Sequence, residues 1–278
     1  FSHKNMGLFG SKENPEDIRH NAMSMMERNQ PKAAVSLFNK ILKQDVTDAS
    51  ALFNKGLALN QMRKYSDAIT CFDKLLEINP NDAQALNNKG IAMAENGNIQ
   101  AASECYDEAI VADPKYAASY FNKGVLLDKL QEHELALTVL EKAISVDSRK
   151  PNAMVYRGIV LGKMKRHEEA LNCFQNVCKK YPNNQDAFFQ KGVQLAELGK
   201  HEKALDVFDE ILKKYKDNVN VIYAKSRSKA GLKNYPEALD LLKQAISRNP
   251  KIIRKWAKEE PIFTVLHNND KFRALVKL

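Results

Sequence analysis

Glycine and proline are scarce in this chain, and their scarcity limits the folds that it can adopt. The 11 glycines and 9 prolines make up about 7% of the 278 residues, against about 12% in an ordinary protein. A fold of many short strands needs more turn residues than this, so long helices are the better expectation. Hydrophobic residues make up 44% of the chain and charged residues 28%, which predicts a folded globular protein rather than a disordered one.

Long apolar runs are also absent, as is the pattern of a secretory signal peptide. No window approaches the roughly 18 consecutive apolar residues of a membrane span. The 4 cysteines are scattered and form no CxxC pair, which favours reduced thiols over a disulfide framework. These observations predict a cytoplasmic chain without a membrane span. Residues 1–14 are interpreted as a cloning scar followed by an N-terminal lead-in.

What the chain does have is internal repetition. The tripeptide Asn-Lys-Gly recurs at residues 54–56, 88–90 and 122–124, a spacing of 34 residues. When Gly56 is assigned to position 8 of its repeat, seven consecutive repeats fill residues 15–252. Repeats 1 to 7 then span residues 15–48, 49–82, 83–116, 117–150, 151–184, 185–218 and 219–252, and repeat positions are numbered accordingly.

Four repeat positions carry a recognisable signature. Small residues recur at positions 8 and 20, an aromatic or large apolar residue such as Phe72 or Tyr106 at position 24, and proline such as Pro80 or Pro114 at position 32. This pattern resembles the tetratricopeptide repeat. The resemblance implies an all-α fold, a right-handed α-solenoid or superhelix of tandem helical hairpins. It also implies a protein-interaction scaffold whose first helices line a concave groove.

Helical periodicity supports the same architecture independently. Positions 4, 7, 8 and 11 share one face of a first helix, and positions 20, 24 and 27 share one face of a second helix. The small residues at positions 8 and 20 let the two helices approach closely, so each repeat is predicted to be a helical hairpin. A single hairpin cannot bury its apolar residues alone and must stack on its neighbours. Residues 253–278 depart from the period and are predicted to form capping helices over the last repeat.

No catalytic or cofactor-binding motif accompanies the repeats. The sequence contains no P-loop, GxGxxG, HExxH or GxSxG pattern, so no enzyme activity and no cofactor are predicted. His133, His167 and His201 share position 17, but packed helices lie about 8–10 Å apart, too far for neighbouring rings to share a zinc ion at about 2 Å. Packing rings and no metal site are therefore predicted, and Cys71 and Cys105 at position 23 are interpreted as structural thiols.

The remaining candidate site is a surface on the first helices, at positions 6 and 9, which lie opposite the core-facing side. A carboxamide is both donor and acceptor, so a row of Asn can pair with the backbone of an extended peptide, similar to the asparagine ladder of some long tetratricopeptide superhelices. The alternative is that these amides merely bridge adjacent helices. The predicted partner-binding residues are Asn54, Asn88, Asn122, Tyr156 and Gln190 at position 6, and Leu57, Ile91 and Val125 at position 9.

Charge distinguishes the two halves of the chain. Residues 1–139 hold 15 Lys and Arg against 18 Asp and Glu, whereas residues 140–278 hold 28 against 16. Arg227 and Lys229 occupy normally apolar positions 9 and 11, and they are added to the predicted partner-binding residues. Such a basic half would attract an acidic protein segment, nucleic acid or anionic lipid, although ordinary solubilising lysines would give the same composition.

The choice of partner depends on these rows. Chaperone-binding members of the family use a carboxylate clamp with Lys at position 5, where this chain has Phe53, Asn87 and Phe121, so no chaperone tail is predicted. The function predicted from the sequence is a non-catalytic scaffold that binds a protein or peptide, with an acidic partner as one option. The alternative is a nucleic-acid-binding solenoid that uses the basic C-terminal half.

Overall fold

The computed structural model describes residues 14–277, and the expected scar and lead-in lie outside these residues except for Asn14. Within them the chain forms sixteen α-helices and one 3-10 helix, and no strand. The helices are α1 (Pro15–Glu27), α2 (Pro31–Gln44), α3 (Ala49–Gln61), α4 (Tyr65–Ile78), α5 (Ala83–Glu95), α6 (Ile99–Ala112), α7 (Ala117–Lys129), α8 (His133–Val146), α9 (Asn152–Lys163), α10 (His167–Lys180), α11 (Gln185–Glu197), α12 (His201–Lys214), α13 (Val219–Gly231), α14 (Tyr235–Arg248), α15 (Pro250–Glu259) and α16 (Asp270–Val276), with the 3-10 helix at Pro261–Leu266.

The helices divide into two compact bodies at the turn after Leu130. The N-terminal body contains α1 to α7, and the C-terminal body contains α8 to α16. Within each body every helix packs against the next one in the chain, so odd-numbered first helices alternate with even-numbered second helices. The fold is the all-α arrangement of tandem helix pairs that the period predicts.

Each pair is joined by a tight turn with one residue in the left-handed region. These residues all occupy repeat position 15 and are Asn29, Arg63, Gly97, Gln131, Lys165, Gly199 and Lys233, with φ between 56° and 87°. In the second repeat the turn closes with Lys64 N donating to Leu59 O at 2.9 Å, the bond of a Schellman motif. In five of the seven turns this residue is not glycine. The chain can therefore form many hairpins although it contains few glycines.

Most first helices begin at an Asn or Asp at repeat position 34. Asp48 accepts a hydrogen bond from Ala51 N at 2.8 Å, and Asp82 accepts one from Ala85 N at 2.9 Å. Asn184 caps α11 in the same way. Such caps satisfy backbone donors that the helix leaves free and fix where it starts.

The two helices of a repeat meet where an aromatic ring at position 24 lies against the glycine at position 8. A methyl group added at Gly56 would lie 2.7 Å from the Phe72 ring, and one at Gly192 would lie 2.5 Å from Phe208. Both rings are fully buried. The small residue therefore makes room for a ring and not only for a neighbouring backbone, a contact that decides the spacing of the hairpin.

After α14 comes a cap segment, residues 250–276, formed by α15, the 3-10 helix and α16. Its helix α15 begins at Pro250, three residues before the expected boundary at 253, because Asn249 caps it by accepting from Ile252 N. Phe263 and Phe272 are fully buried in one cluster with Ile222 and Tyr223 of α13. The cap segment thus covers α13 and α14, the last pair of the repeat array. None of the helices within residues 14–277 has the length and apolar character needed to cross a membrane.

Candidate functional site

The row of amides lies on three first helices of the N-terminal body. Asn54 on α3, Asn88 on α5 and Asn122 on α7 are all half-buried, so each keeps part of its side chain accessible. Asn54 Nδ2 donates to Ser50 O at 2.9 Å, and Asn88 Nδ2 donates to Gln84 O at 2.8 Å. Because these donors are bonded within their own helix, the Oδ1 acceptors of Asn54 and Asn88 remain for another group.

Asn122 behaves differently from the other two amides. Its Nδ2 donates to Oδ1 of Asn87 at 2.9 Å, and Asn87 is buried with 3% exposure. Asn60 Nδ2 on α3 likewise donates to Asn88 O on α5 at 3.3 Å. The structure therefore contains the bridging amides of the alternative interpretation, alongside two amides that do not bridge. Sequence reasoning missed Asn60 and Asn87, although the doubled Asn87-Asn88 was a visible signal.

The apolar row at position 9 lies beside the amides. Leu57, Ile91 and Val125 are half-buried. Leu57 packs against the core around Phe72, and Ile91 packs against Ala102 and Tyr106. These side chains contribute to the packing of the helices and still present an apolar strip next to Asn54 and Asn88.

In the C-terminal body the same row keeps one amide, Gln190, between Tyr156 and Ala224. Tyr156 on α9 and Gln190 on α11 are half-buried, whereas Ala224 at the same position of α13 is buried with 5% exposure. Tyr223, next to Ala224, packs against Trp256 of the cap segment with ring centroids 5.6 Å apart. The accessible side chains of the position 6 row therefore end before α13, which packs against the cap segment.

Arg227 is held between two carboxylates inside the C-terminal body. Its guanidinium lies 2.8 Å from Glu197 on α11 and 2.6 Å from Glu260 at the end of α15. Burial alone would lower the pKa of Arg227, but Glu260 and Glu197 raise it above its ordinary value, so the side chain stays charged. An arginine that was predicted to contact a partner thus joins α11, α13 and the cap segment.

Lys229 and other basic side chains also have partners within the chain. Lys229 Nζ lies 2.6 Å from Glu237, an exposed carboxylate on α14, and Arg248 pairs with Asp217. Arg254 Nε donates to Leu275 O at 2.9 Å, and Lys258 Nζ donates to Lys277 O at 3.1 Å. Arg227, Arg254 and Lys258 therefore help to hold the cap segment in place, whereas Lys229 and Arg248 pair with carboxylates outside it.

The histidine and cysteine rows are parts of the packing. His167 Nδ1 lies 2.9 Å from Gln194 Oε1 on the next first helix. The His201 ring packs against Gly231, where an added methyl group would clash with its Nε2 atom. Burial lowers the pKa of His201, and the charge of Arg227 lowers it further. The cysteines are unpaired, and burial raises the pKa of Cys71. In residues 14–277 no three His, Cys, Asp or Glu side chains are grouped closely enough to hold a metal ion.

Comparisons with known proteins agree with this architecture. Sequence profiles described as tetratricopeptide repeat match residues 49–82, residues 71–102, and residues 87–153 and 157–219. No curated protein matches the chain.

Solved structures resemble the chain over most of its length. A tetratricopeptide repeat protein from Parabacteroides merdae is 16% identical, with a TM-score of 0.66 over 88% of this chain and 97% of that one. PilF of Pseudomonas aeruginosa is 19% identical, with a TM-score of 0.65 over 76% of this chain and 97% of that one. YrrB, described as a TPR protein with an unusual peptide-binding site, is 25% identical, with a TM-score of 0.55 over 68% of this chain and 97% of that one. With the profiles together matching more than half of the residues and the helix pairs following their period, this chain belongs to the tetratricopeptide repeat family.

Proposed function

We propose that this protein is a non-catalytic scaffold that binds an extended peptide segment of a partner along the first helices of the N-terminal body. Asn54, Asn88 and Asn122 contact the peptide backbone, and Leu57, Ile91 and Val125 contact its apolar side chains. The observation that carries the proposal is the hydrogen bonding of Asn54 and Asn88. Their Nδ2 groups are bonded within the helix and both residues are half-buried, so an Oδ1 atom can accept a peptide N–H group.

Two further findings support a peptide partner. Proteins of the tetratricopeptide family serve as interaction scaffolds, and YrrB, to which the chain is similar, is described as having a peptide-binding site.

The compartment that we propose is the cytoplasm, because the 4 unpaired cysteines fit a reducing environment.

In the C-terminal body we propose a lesser contribution from Tyr156 and Gln190, with Arg227 and Lys229 favouring an acidic segment. The ion pairs of Arg227 with Glu197 and Glu260 compete with such a partner, and so does the ion pair of Lys229 with Glu237. Binding of nucleic acid by this basic half is the second candidate function. The same ion pairs argue against it, because they leave fewer cations to contact phosphate.

The test is the affinity of a peptide selected from a random-sequence display library on the purified protein. We expect Asn54→Ala/Asn88→Ala to weaken its binding by about 0.5–1.5 kcal/mol for each lost hydrogen bond, at every salt concentration. The matched control is Gln100→Ala, which removes an exposed amide bonded within the second helix α6. Lys229→Glu should weaken binding mainly at low salt, because screening already suppresses exposed charge pairs at high ionic strength. Equal affinity of the amide variant and wild type would refute the first-helix site, and competition by single-stranded RNA with a steep salt dependence would favour nucleic acid.

A further inference from the structure

A series of ion pairs links successive repeats on the side of the second helices. In each, the cation at position 7 of a first helix meets a carboxylate at position 25 of the preceding second helix. Lys89 lies 2.8 Å from Asp73, and Arg157 lies 3.0 Å from Glu141. Lys123 pairs with Asp107 and Lys225 with Asp209 in the same manner. We refer to these four contacts as the position 7–25 pairs.

The second and sixth repeats break this series. In the sixth, Lys191 on α11 follows Gln175 at position 25 of α10, and its Nζ lies 5.3 Å from the Phe188 ring centroid. The second repeat has a similar replacement. Lys55 on α3 has the position 7 cation, but position 25 of the preceding helix α2 is Asn39. Both side chains are half-buried, and no carboxylate lies within ion-pair distance of Lys55 among residues 14–277. A cation is thus retained where its usual counter-ion has been replaced by a neutral amide.

The missing carboxylate coincides with a cavity of about 430 Å³ between α2, α3 and α4. Lys55 and Asn39 both line it, Lys64 and Lys74 add two cations, and Asp67 adds one carboxylate. Three positive charges therefore face one negative charge. The buried side chains of Leu52 and Leu59 form its apolar floor.

An equivalent cavity in the C-terminal body shows the paired arrangement. It lies between α8, α9 and α10, has a volume of about 480 Å³, and is lined by Arg157 together with its partner Glu141. The two cavities occupy the same place in their repeats and differ in whether the chain supplies the carboxylate itself.

We infer that the cavity between α2, α3 and α4 is a second peptide-docking site, in which an Asp or Glu side chain of a partner takes the place of the missing position 25 carboxylate beside Lys55. The aliphatic side chain next to that acid packs on Leu52 and Leu59. Asn54 and Asn88 do not line this cavity, so the site is separate from the first-helix surface.

The observations favour an acidic peptide over nucleic acid. The position 7–25 pairs show that this location accommodates a carboxylate on a side chain. The lining contains leucine and valine but no aromatic ring among the described residues, and single-stranded nucleic acids need such rings for base stacking. The apolar floor of leucines and the lysines around it together fit an acidic side chain that is flanked by aliphatic residues.

The decisive variant is Asn39→Asp, which would give Lys55 a carboxylate from the chain itself, as in the position 7–25 pairs. The probes are two blocked pentapeptides, acetyl-Ala-Leu-Asp-Leu-Ala-amide and the same peptide with Asn instead of Asp, titrated by NMR of the leucine methyl groups. We expect the Asp peptide to shift the Leu52 and Leu59 signals and to bind about tenfold more tightly than the Asn peptide, the factor expected for one charge-assisted hydrogen bond. Asn39→Asp should remove that tenfold preference without lowering the melting temperature.

A gain of binding tests the same idea from the other direction. Glu141→Gln removes the carboxylate partner of Arg157, which keeps its hydrogen bond to Cys173 Sγ, so the Asp peptide should acquire a second site reported by the methyl group of Met154, which lines that cavity. Asn54→Ala/Asn88→Ala should leave both effects unchanged, which separates this site from the first-helix surface.

Three results would overturn the inference. One is an Asp peptide that fails to shift Leu52 and Leu59 at millimolar concentration. Another is equal binding of the Asp peptide to wild type and Asn39→Asp. The third is a short oligouridylate that displaces the peptide and binds more tightly at the same residues.

Discussion

The first helices α3 and α13 occupy the same place in their repeats, yet their side chains at positions 6 and 9 differ in burial and in partners. On α3, Asn54 and Leu57 at positions 6 and 9 are half-buried and keep accessible area. On α13, Ala224 at position 6 is buried, and Arg227 at position 9 is held by Glu197 and Glu260. A repeat position therefore does not define an environment by itself.

The difference arises from the elements that come after each helix in the chain. Helix α3 is succeeded by another repeat, which covers only one of its sides. Helix α13 and its partner α14 are succeeded by the cap segment, whose Phe263 lies 6.2 Å from the Tyr223 ring and whose Glu260 reaches Arg227. Solenoids need such a cover because the last repeat otherwise exposes the apolar strip that a neighbour would bury.

The largest expected effect comes from breaking this cover. Phe263→Ala removes a fully buried ring between Tyr223 and Phe272, and we expect the free energy of unfolding of the C-terminal body to fall by about 3–5 kcal/mol. Denaturant unfolding followed by fluorescence measures it, because the single tryptophan, Trp256, lies in the cap segment. The control is Val265→Ala, whose side chain is 68% exposed. Equal stability of the two variants would show that the cap segment does not pack as described.

A smaller effect is expected from Arg227, and it distinguishes a structural cation from a binding one. Arg227→Met leaves the largely buried carboxylate of Glu260 without its partner, so we expect a loss of about 1–3 kcal/mol in unfolding experiments. Lys229→Met removes a cation whose partner is exposed and should leave stability unchanged within error. The double variant Arg227→Met/Glu260→Gln should recover part of the loss. If Arg227→Met did not lower the free energy of unfolding, Arg227 would be better interpreted as a binding cation than as a structural one.

The smallest effect concerns acid sensitivity at the opposite end of the array. Arg19 forms a bidentate pair with Asp48, at 3.1 and 2.8 Å, and joins α1 to the start of α3. The hydrogen bond from Arg19 holds the pKa of Asp48 below its ordinary value of 3.8. A depressed carboxyl pKa contributes stability that is present above the unfolded pKa and is lost as the pH falls through the folded pKa.

Melting curves of wild type and Asp48→Asn between about pH 5 and about pH 2 check this contribution, which we expect to be no more than about 1 kcal/mol. Asparagine can still cap α3, so the variant loses the ion pair and keeps the cap. Wild type should therefore lose more stability than the variant over this range. A parallel decrease in both proteins would contradict the role of Asp48 in acid sensitivity.

Much of the fold was predictable because the repeat is local. The 34-residue spacing, Gly56 facing Phe72 and the buried alanines at position 20 all concern residues within one hairpin or the next, and each repeat contacts only its neighbours. The left-handed turn residue at position 15 was not predicted, because Arg63 and Lys165 do not look like turn residues and adopt positive φ only where the two helices close the turn.

The sequence predicted which residues form the two rows of the candidate site, but not which groups those residues contact. Sequence periodicity determined that Asn54, Asn88 and Asn122 share one side of their helices. Only the tertiary structure decided that Asn122 bonds to the buried Asn87, that Arg227 is held between two carboxylates, and that Lys55 faces Asn39 across a cavity. Periodicity fixes the direction in which a side chain points from its own helix, whereas its partner depends on how neighbouring helices are offset and on what the cap segment covers.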